Sequence, residues 1–246
     1  MKVFRPTPGT VYDKPGRAIN LDQGDYDLVE IDRCTFNGTA GIFIQAKPGA
    51  VIRVTNCTAT NIRRTADMEY AQFVQVSGLD EHSNPQGVVC DLNISGNNVT
   101  NEKGKCDLED TVSLIGISGT QFKPLIVCRN WIRGVYPGDT SEDGMRKFSG
   151  GGIIADRGTH WARFFGNHVL EPTNYGMAIA GGTNNEIYSN VVKAKQGYNV
   201  GIYQSNRYKG DLFLNNHIWP KRNDVEYWSV RKDKTKPVRN DFWVEA

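Results

Sequence analysis

The chain reads Phe164-Phe165-Gly166-Asn167-His168-Val169, then Ile187-Tyr188-Ser189-Asn190-Val191-Val192, then Phe213-Leu214-Asn215-Asn216-His217-Ile218. Each copy has an apolar residue, two or three spacers, an Asn, an outward-facing residue and a second apolar residue. The Asn residues are 23 and then 26 positions apart. A period in this range is typical of a repeat architecture, in which one unit cannot bury its apolar face alone.

The same phrase extends back towards the amino terminus. Its central position is occupied in turn by Cys34, Cys57, Asn97, Asn130, Asn167, Asn190 and Asn216. Between the copies lies a second apolar phrase, such as Gly152-Ile153-Ile154-Ala155. These second phrases predict one buried column of Ile42, Val74, Ile115, Ile153, Met177 and Val200. Short alternating apolar runs bounded by Gly, Asn and Ser predict strands, and no window has a helical period of useful length. Asn tolerates the left-handed backbone of a tight turn and can hydrogen-bond to its neighbour in the next unit.

This Asn ladder resembles that of the right-handed parallel β-helix of the pectin-lyase-like superfamily. The resemblance covers roughly residues 17–230 and concerns the repeat, not a catalytic signature. It implies an all-β fold, a single-stranded right-handed parallel β-helix (a solenoid) of about seven coils. Residues 1–16 are then expected to form an extended amino-terminal arm, and residues 231–246 a carboxyl-terminal cap or tail. In the family each coil has three strands, and the phrase around Ile153 corresponds to the first strand.

Composition and charge bear on nucleic-acid binding, membrane insertion, disulfide bonds and metal binding. The net charge of +2 and the pI of about 8.2 do not indicate a nucleic-acid-binding protein. No stretch resembles a membrane span or a signal peptide, which favours cytoplasmic synthesis or a virion-associated protein, unless a leader was removed. The five cysteines are expected to be reduced thiols, with a Cys34–Cys57 bridge the less favoured alternative. No spacing suggests a metal site, so no cofactor is expected, and Ca²⁺ is not indicated.

The irregular spacing of the ladder locates the insertions. The successive intervals are 23, 40, 33, 37, 23 and 26 residues. Most of the excess follows the ladder turn, in residues 61–70, 101–110 and 133–150, and one further insertion, residues 79–86, follows a first strand. Insertions in solenoids lie on one face, which is often the binding face. In the family that the chain resembles, the saccharide cleft lies beside the sheet formed by the first strands, here named the first-strand sheet.

Alternation along the first strands predicts which side chains line that cleft. With Ile153 and Ala155 inward, Asp156 faces outward as the only charge in an expected column of Gln45, Ser77, Ser118, Asp156, Ala180 and Tyr203. Asp before Arg-Gly is also ordinary turn chemistry. Arg157 could neutralise a substrate carboxylate, as a uronide lyase requires. The interpretation names Asp156, Arg157 and Glu69 as catalytic candidates. The expected substrate-binding residues, on the sheet or its loops, are Arg63, Arg64, Tyr70, Gln75, Ser77, Ser118, Lys147 and Tyr203.

These residues suggest a carbohydrate-active protein, either a polysaccharide lyase or a glycoside hydrolase, that acts on a polysaccharide or oligosaccharide. Three signatures of the superfamily are missing: the polygalacturonase Asn-Thr-Asp, Asp-Asp and His-Gly set, the pectate-lyase Arg-X-Pro-X-X-Arg and the epimerase Asp-Pro-His-Glu. The alternative is a non-catalytic glycan-binding spike or adhesin of the phage tailspike type, in which case a homotrimer is expected, or a structural scaffold.

Overall fold

The computed structural model of this 246-residue chain describes residues 1–68, 70–78, 86–137, 150–193, 200–204, 212–219 and 239–242. All of its regular elements in these ranges are strands. The first are β1 (Val3–Phe4), β2 (Val11–Tyr12), β3 (Ile19–Leu21), β4 (Leu28–Asp32), β5 (Thr35–Asn37), β6 (Ile42–Ala46), β7 (Val51–Thr55), β8 (Thr58–Thr60), β9 (Gln72–Gly78), β10 (Val88–Val89), β11 (Asp91–Ser95) and β12 (Asn98–Thr100). The others are β13 (Asp110–Ile115), β14 (Ile117–Ser118), β15 (Leu125–Cys128), β16 (Trp131–Val135), β17 (Gly151–Asp156), β18 (Ala162–Phe165), β19 (His168–Pro172), β20 (Tyr175–Ile179), β21 (Glu186–Tyr188), β22 (Val191–Lys193), β23 (Val200–Gln204), β24 (Leu212–Trp219) and β25 (Arg239–Phe242).

The strands stack as the coils of a parallel β-helix, which confirms the predicted fold class. The first-strand sheet has seven strands in the order β3-β6-β9-β13-β17-β20-β23. A 16-stranded sheet runs up the second strands of the coils from β1 to β21, reaches β24 and returns down the third strands from β22 to β2. Every pairing between these strands is parallel, and β25 adds to β24. The strands β1 and β2, which precede residue 17, also pair with the stack, at β4 and β5.

The core lies inside the coils, where apolar side chains stack in register. One column comprises Ile42, Val74, Val112, Ile153 and Met177, all at most 1% exposed. Removing an Ile or Val side chain from water stabilises the fold by roughly 1.5–3 kcal/mol, so a continuous column of this kind holds each coil against the next.

The predicted register was wrong in two coils of this column, where Ile115 and Val200 were expected. Val112 and Ile202 occupy these places instead. Two apolar residues, Leu114 and Ile115, are adjacent in β13, and the chain buries the first of them completely. Ile115 ends the strand before Gly116, whose positive φ of 62° turns the backbone. The strand therefore begins earlier in the sequence than the apolar run suggests.

The Asn ladder is confirmed. Asn97, Asn130, Asn167 and Asn190 are at most 2% exposed. Each of the first three amides donates from Nδ2 to Oδ1 of the next Asn in the stack, at 2.9, 2.9 and 3.0 Å. The same carbonyl oxygens also accept the backbone N–H of the preceding ladder residue. All five cysteines are buried and unpaired, as expected, so no Cys34–Cys57 bridge is present.

The described insertions lie at both edges of the first-strand sheet. Residues 61–71 and 101–109 connect third strands to the amino ends of the first strands β9 and β13. A further connection, between β13 and β15, contains β14, which pairs with β10 in a separate 2-stranded sheet. The first two loops therefore lie at the edge where the first strands begin, and the β14 connection lies at the edge where they end. Residues 79–85 and 138–149, which make up most of the two other predicted insertions, lie outside the described residues.

Candidate functional site

The outer face of the first-strand sheet carries three rows of side chains. Strict alternation is interrupted in two of the first strands. In β9, Phe73 and Val74 are adjacent and both fully buried in the core. In β13, Thr111 and Val112 are likewise adjacent and both buried. This bend places Gln72 and Gln75 on the same outer face, where both accept hydrogen bonds from one guanidinium nitrogen of Arg17.

Backbone pairing defines the rows. The first row comprises Gln72, Asp110, Gly151 and the neighbouring Tyr175. The second comprises Asn20, Phe43, Gln75, Ser113, Ile154 and Ala178, and the third comprises Gln45, Ser77, Ile115 and Asp156. Neighbouring residues within a row are about 4.8 Å apart. Gln75 and Ser77, both half-buried, thus lie on the outer face as predicted.

Arg17 links the beginnings of the first strands. Its Nη1 donates to the carbonyl of Ala40 at 2.9 Å, and its Nη2 donates to Oε1 of Gln72 at 2.8 Å and of Gln75 at 3.2 Å. Burial lowers the pKa of Arg17 to about 10, and the charge of Glu109 opposes that shift. The guanidinium is therefore still protonated at neutral pH. Gln72 in turn donates from Nε2 to the Glu109 carboxylate, so the Gln72 amide connects the cation to the carboxylate.

A buried carboxyl group lies beside Glu109. Asp110 is 5% exposed, and its Oδ1 accepts a hydrogen bond from the Tyr175 hydroxyl. Burial raises the pKa of Asp110 well above its ordinary value, the charges of Glu109 and Asp156 raise it further, and the Tyr175 hydrogen bond opposes them. Burial and the nearby Asp110 also raise the pKa of Tyr175. Asp110 is thus a carboxyl group whose surroundings favour its protonated form.

The contact between Asp110 and Tyr175 crosses an intervening strand. Asp110 is on β13 and Tyr175 on β20, with β17 between them. The tyrosine ring passes over Gly151, where an added Cβ would lie 2.2 Å from Asp110 Oδ1 and 2.3 Å from Tyr175 Cζ. Only the absence of a side chain at this position lets the hydroxyl reach the carboxyl group.

An apolar patch adjoins the pair. Ile154, Tyr175 and Ala178 form a cluster separate from the core, each at most 8% exposed, and Ala180 packs against it. A dry surrounding of this kind disfavours the ionised carboxylate, which is consistent with the direction of the Asp110 shift.

Asp156 and Arg157 lie at the other end of β17 from Gly151. Six residues of strand separate these ends by roughly 16 Å. One Asp156 oxygen accepts the backbone N–H of Arg157 at 2.8 Å, and the Asp156 carbonyl accepts Thr159 N–H at 3.0 Å. Asp156 is therefore a turn residue at the end of β17 on the outer face of the sheet, and its proposed role in the site stays a prediction. The Arg157 side chain is exposed.

The predicted loop residues lie at the opposite edge from Asp156. Arg63 is exposed, and Arg64 is ion-paired with Asp107 at 2.6 Å and also bonds the Met68 carbonyl. Tyr70 is half-buried near the start of β9. The Arg64 charge thus pairs within its own loop.

Ser118 is not in the Asp156 row, where it was expected. Ile115 occupies that place, because β13 begins and ends earlier than the apolar pattern suggested. Ser118 lies instead on β14, where it is buried, pairs with Val89 and donates from Oγ to the Gly119 carbonyl. Glu69 and Lys147 lie outside the described residues, and only the backbone of Tyr203, which pairs with Ala178, is described.

Sequence reasoning missed Arg17, Glu109, Asp110 and Tyr175. Asp110 was placed at the end of an insertion, whereas it is the first residue of β13. The available signal was its offset: Gln72, Asp110, Gly151 and Tyr175 each lie two residues before a member of the buried column. Using that offset required the correct register of β13.

Metal ligation and membrane insertion receive no support from the described part of the chain. No group of three or more His, Cys, Asp or Glu side chains there could hold a metal ion. Nor does that part of the chain contain a helix with the length and apolar character needed to span a membrane.

Comparison with known proteins identifies the family of the chain. A family model described as a right-handed beta helix region matches residues 17–192. No curated protein and no solved structure matched the chain.

Proposed function

Because this chain belongs to the right-handed β-helix family, which includes carbohydrate-active enzymes among other proteins, we propose that it hydrolyses a polysaccharide bound over its first-strand sheet. The observation that carries the proposal is the buried Asp110, hydrogen-bonded by Tyr175 and adjacent to a second carboxylate, Glu109. Most glycoside hydrolases use two carboxyl groups, one of them a proton donor with a raised pKa.

Asp110 is assigned as the general acid. Its raised pKa keeps a proton available at a pH where an ordinary Asp is ionised, and that proton would go to the oxygen of the departing sugar. Tyr175 positions the carboxyl group through its hydrogen bond, and the Ile154 cluster keeps water from the same side.

Glu109 is assigned as the second carboxylate. Gln72 donates a hydrogen bond to it, and the positive charge of Arg17 lies nearby. Both contacts favour the ionised form, which can activate water or attack the sugar. Asp156, further along the face, is proposed as a substrate-binding carboxylate rather than as the proton donor.

Hydrolysis is favoured over elimination by the state of Arg17. A uronide lyase must neutralise the substrate carboxylate before it removes the α-proton. Arg17 already donates hydrogen bonds to Ala40, Gln72 and Gln75. Its guanidinium therefore links residues near the beginnings of the first strands and would have to give up these bonds to bind a substrate carboxylate. Exposed Arg157, the arginine that the sequence suggested for this role, lies at the far end of β17 from Asp110.

The test compares wild type with Asp110→Asn and Glu109→Gln in an assay of reducing ends released from a panel of polysaccharides. Each substitution is expected to lower turnover by roughly 10²–10⁴-fold. Asp13→Asn, an exposed carboxylate outside the first-strand sheet, is the matched control and should be unaffected. Full activity in Asp110→Asn would refute the assignment, and unsaturated products would show a lyase. Glycan binding by wild type without cleavage would show the non-catalytic alternative.

A further inference from the structure

The first three strands of the sheet present an uncharged surface, which we name the amino-terminal floor. Its members are outward residues of β3, β6 and β9, namely Asn20, Phe43, Gln45, Gln75 and Ser77. None of these side chains carries a charge. Amides and hydroxyls donate and accept hydrogen bonds with sugar hydroxyl and acetamido groups, and an aromatic ring offers a flat apolar contact.

Phe43 is the centre of this floor. It lies between Asn20 and Gln75 in the second row, and its ring is half-buried. The Arg17 guanidinium is 5.8 Å from the ring centroid and is itself held by Gln75. The ring is thus supported from one side by a fixed neighbour, which reduces the entropy that a binding partner must remove from it.

Two of the nearby cations already bond to oxygen atoms of the chain. Arg17 donates to three oxygen atoms and lies in the field of Glu109. In the adjacent loop, Arg64 is ion-paired with Asp107. A negatively charged sugar on the floor would have to compete with these contacts while approaching the Glu109 carboxylate, and a neutral sugar would not.

We propose that the amino-terminal floor binds neutral sugar units, hexoses or N-acetylhexosamines, of a chain that runs along the stacking axis with one ring on Phe43. The inference rests on the proposed function only for the position of cleavage. The β6 strand of Phe43 is two strands from the β13 strand of Asp110, a separation of about 10 Å. The floor therefore lies a short run of sugar units from the general acid.

The binding experiment uses the full chain with Asp110→Asn, so that ligands are retained uncut. Its probe is a glycan array with neutral hexose and N-acetylhexosamine chains beside chains containing uronate or sialate. Neutral chains should be retained and acidic chains should not. Adding Phe43→Ala should weaken retention about tenfold, the loss expected when an aromatic contact surface is removed. Phe122→Ala, which removes an aromatic side chain that is 90% exposed between β14 and β15, is the matched control.

The outcomes separate this inference from the proposed function. Retention of acidic chains alone, retention of no glycan, or retention unaffected by Phe43→Ala would each overturn the inference. Asp110-dependent cleavage of an acidic polysaccharide would do so while leaving the proposed hydrolysis intact. Phe43-dependent retention of neutral chains that wild type never cleaves would support the floor and overturn the hydrolase.

Discussion

Asn167→Ala tests how much the Asn ladder contributes to stability. The Asn167 side chain is fully buried and makes four hydrogen bonds. Two of them are accepted from Asn130, one from its backbone N–H and one from its Nδ2. In the variant, the Asn130 side-chain amide still donates to the Ile94 carbonyl. Asn190 Oδ1 still accepts the backbone N–H of residue 167. The backbone N–H of Asn130, however, loses its acceptor, Asn167 Oδ1.

Each orphaned buried group costs about 1–3 kcal/mol, and the substitution weakens donors at two atoms of Asn130. We therefore expect a loss of about 2–4 kcal/mol in the free energy of unfolding. For a chain of this size each kcal/mol lowers the melting temperature by roughly 2–4 °C.

The assay is urea unfolding followed by circular dichroism, with the m value compared between variants. Asn98→Ala is the matched control, because Asn98 directly follows another ladder residue, Asn97, and is exposed. Its unfolding free energy should change by no more than about 0.5 kcal/mol. A similarly small effect for Asn167→Ala, at an unchanged m value, would show that the ladder bonds give no net stabilisation over water.

Three further predictions concern the core and the site. Ile153→Asp places a carboxylate in the middle of the buried column and should abolish folding, and soluble protein with wild-type circular dichroism would contradict this. The pKa of Asp110 is higher in the folded than in the unfolded state, so the folded state binds more protons. The free energy of unfolding therefore falls as the pH rises from the unfolded-state pKa near 3.8 towards the higher folded-state pKa. Asp110→Asn should therefore raise the melting temperature at pH 7, with the gain shrinking towards pH 3, and a constant difference would refute the shift. Gly151→Ala puts a Cβ within 2.3 Å of both Asp110 and Tyr175 and should remove activity by separating them, whereas retained activity would exclude a role for their contact.

Much of the fold could be read from the sequence because its signals are local and periodic. The ladder residue of every coil follows an apolar residue at a nearly constant offset, so the predicted inward Asn130, Asn167 and Asn190 were correct. The positions of the long insertions before the first strands were also predictable, since an insertion lengthens the ladder interval wherever it occurs.

Register within a coil was harder to predict. In β13 the adjacent Leu114 and Ile115 are both apolar, and only packing against the neighbouring coils determines which of them points inward. The bend that buries Thr111 and Val112 side by side breaks the two-residue period on which sequence reasoning depends. The misplaced Ser118 followed from this one shift.

The candidate site was decided by tertiary structure. Gln75, Ser77 and Asp156 could be placed on the outer face from alternation alone, but Asp110 and Tyr175 are 65 residues apart and meet only because a glycine lies between their strands. Arg17 reaches Gln72 and Gln75 across 55 and 58 residues. The period of the repeat determines that coils stack, because each coil must cover the apolar face of the next. Which side chains then become neighbours depends on the pairing register, and in coils of unequal length the stack itself sets that register.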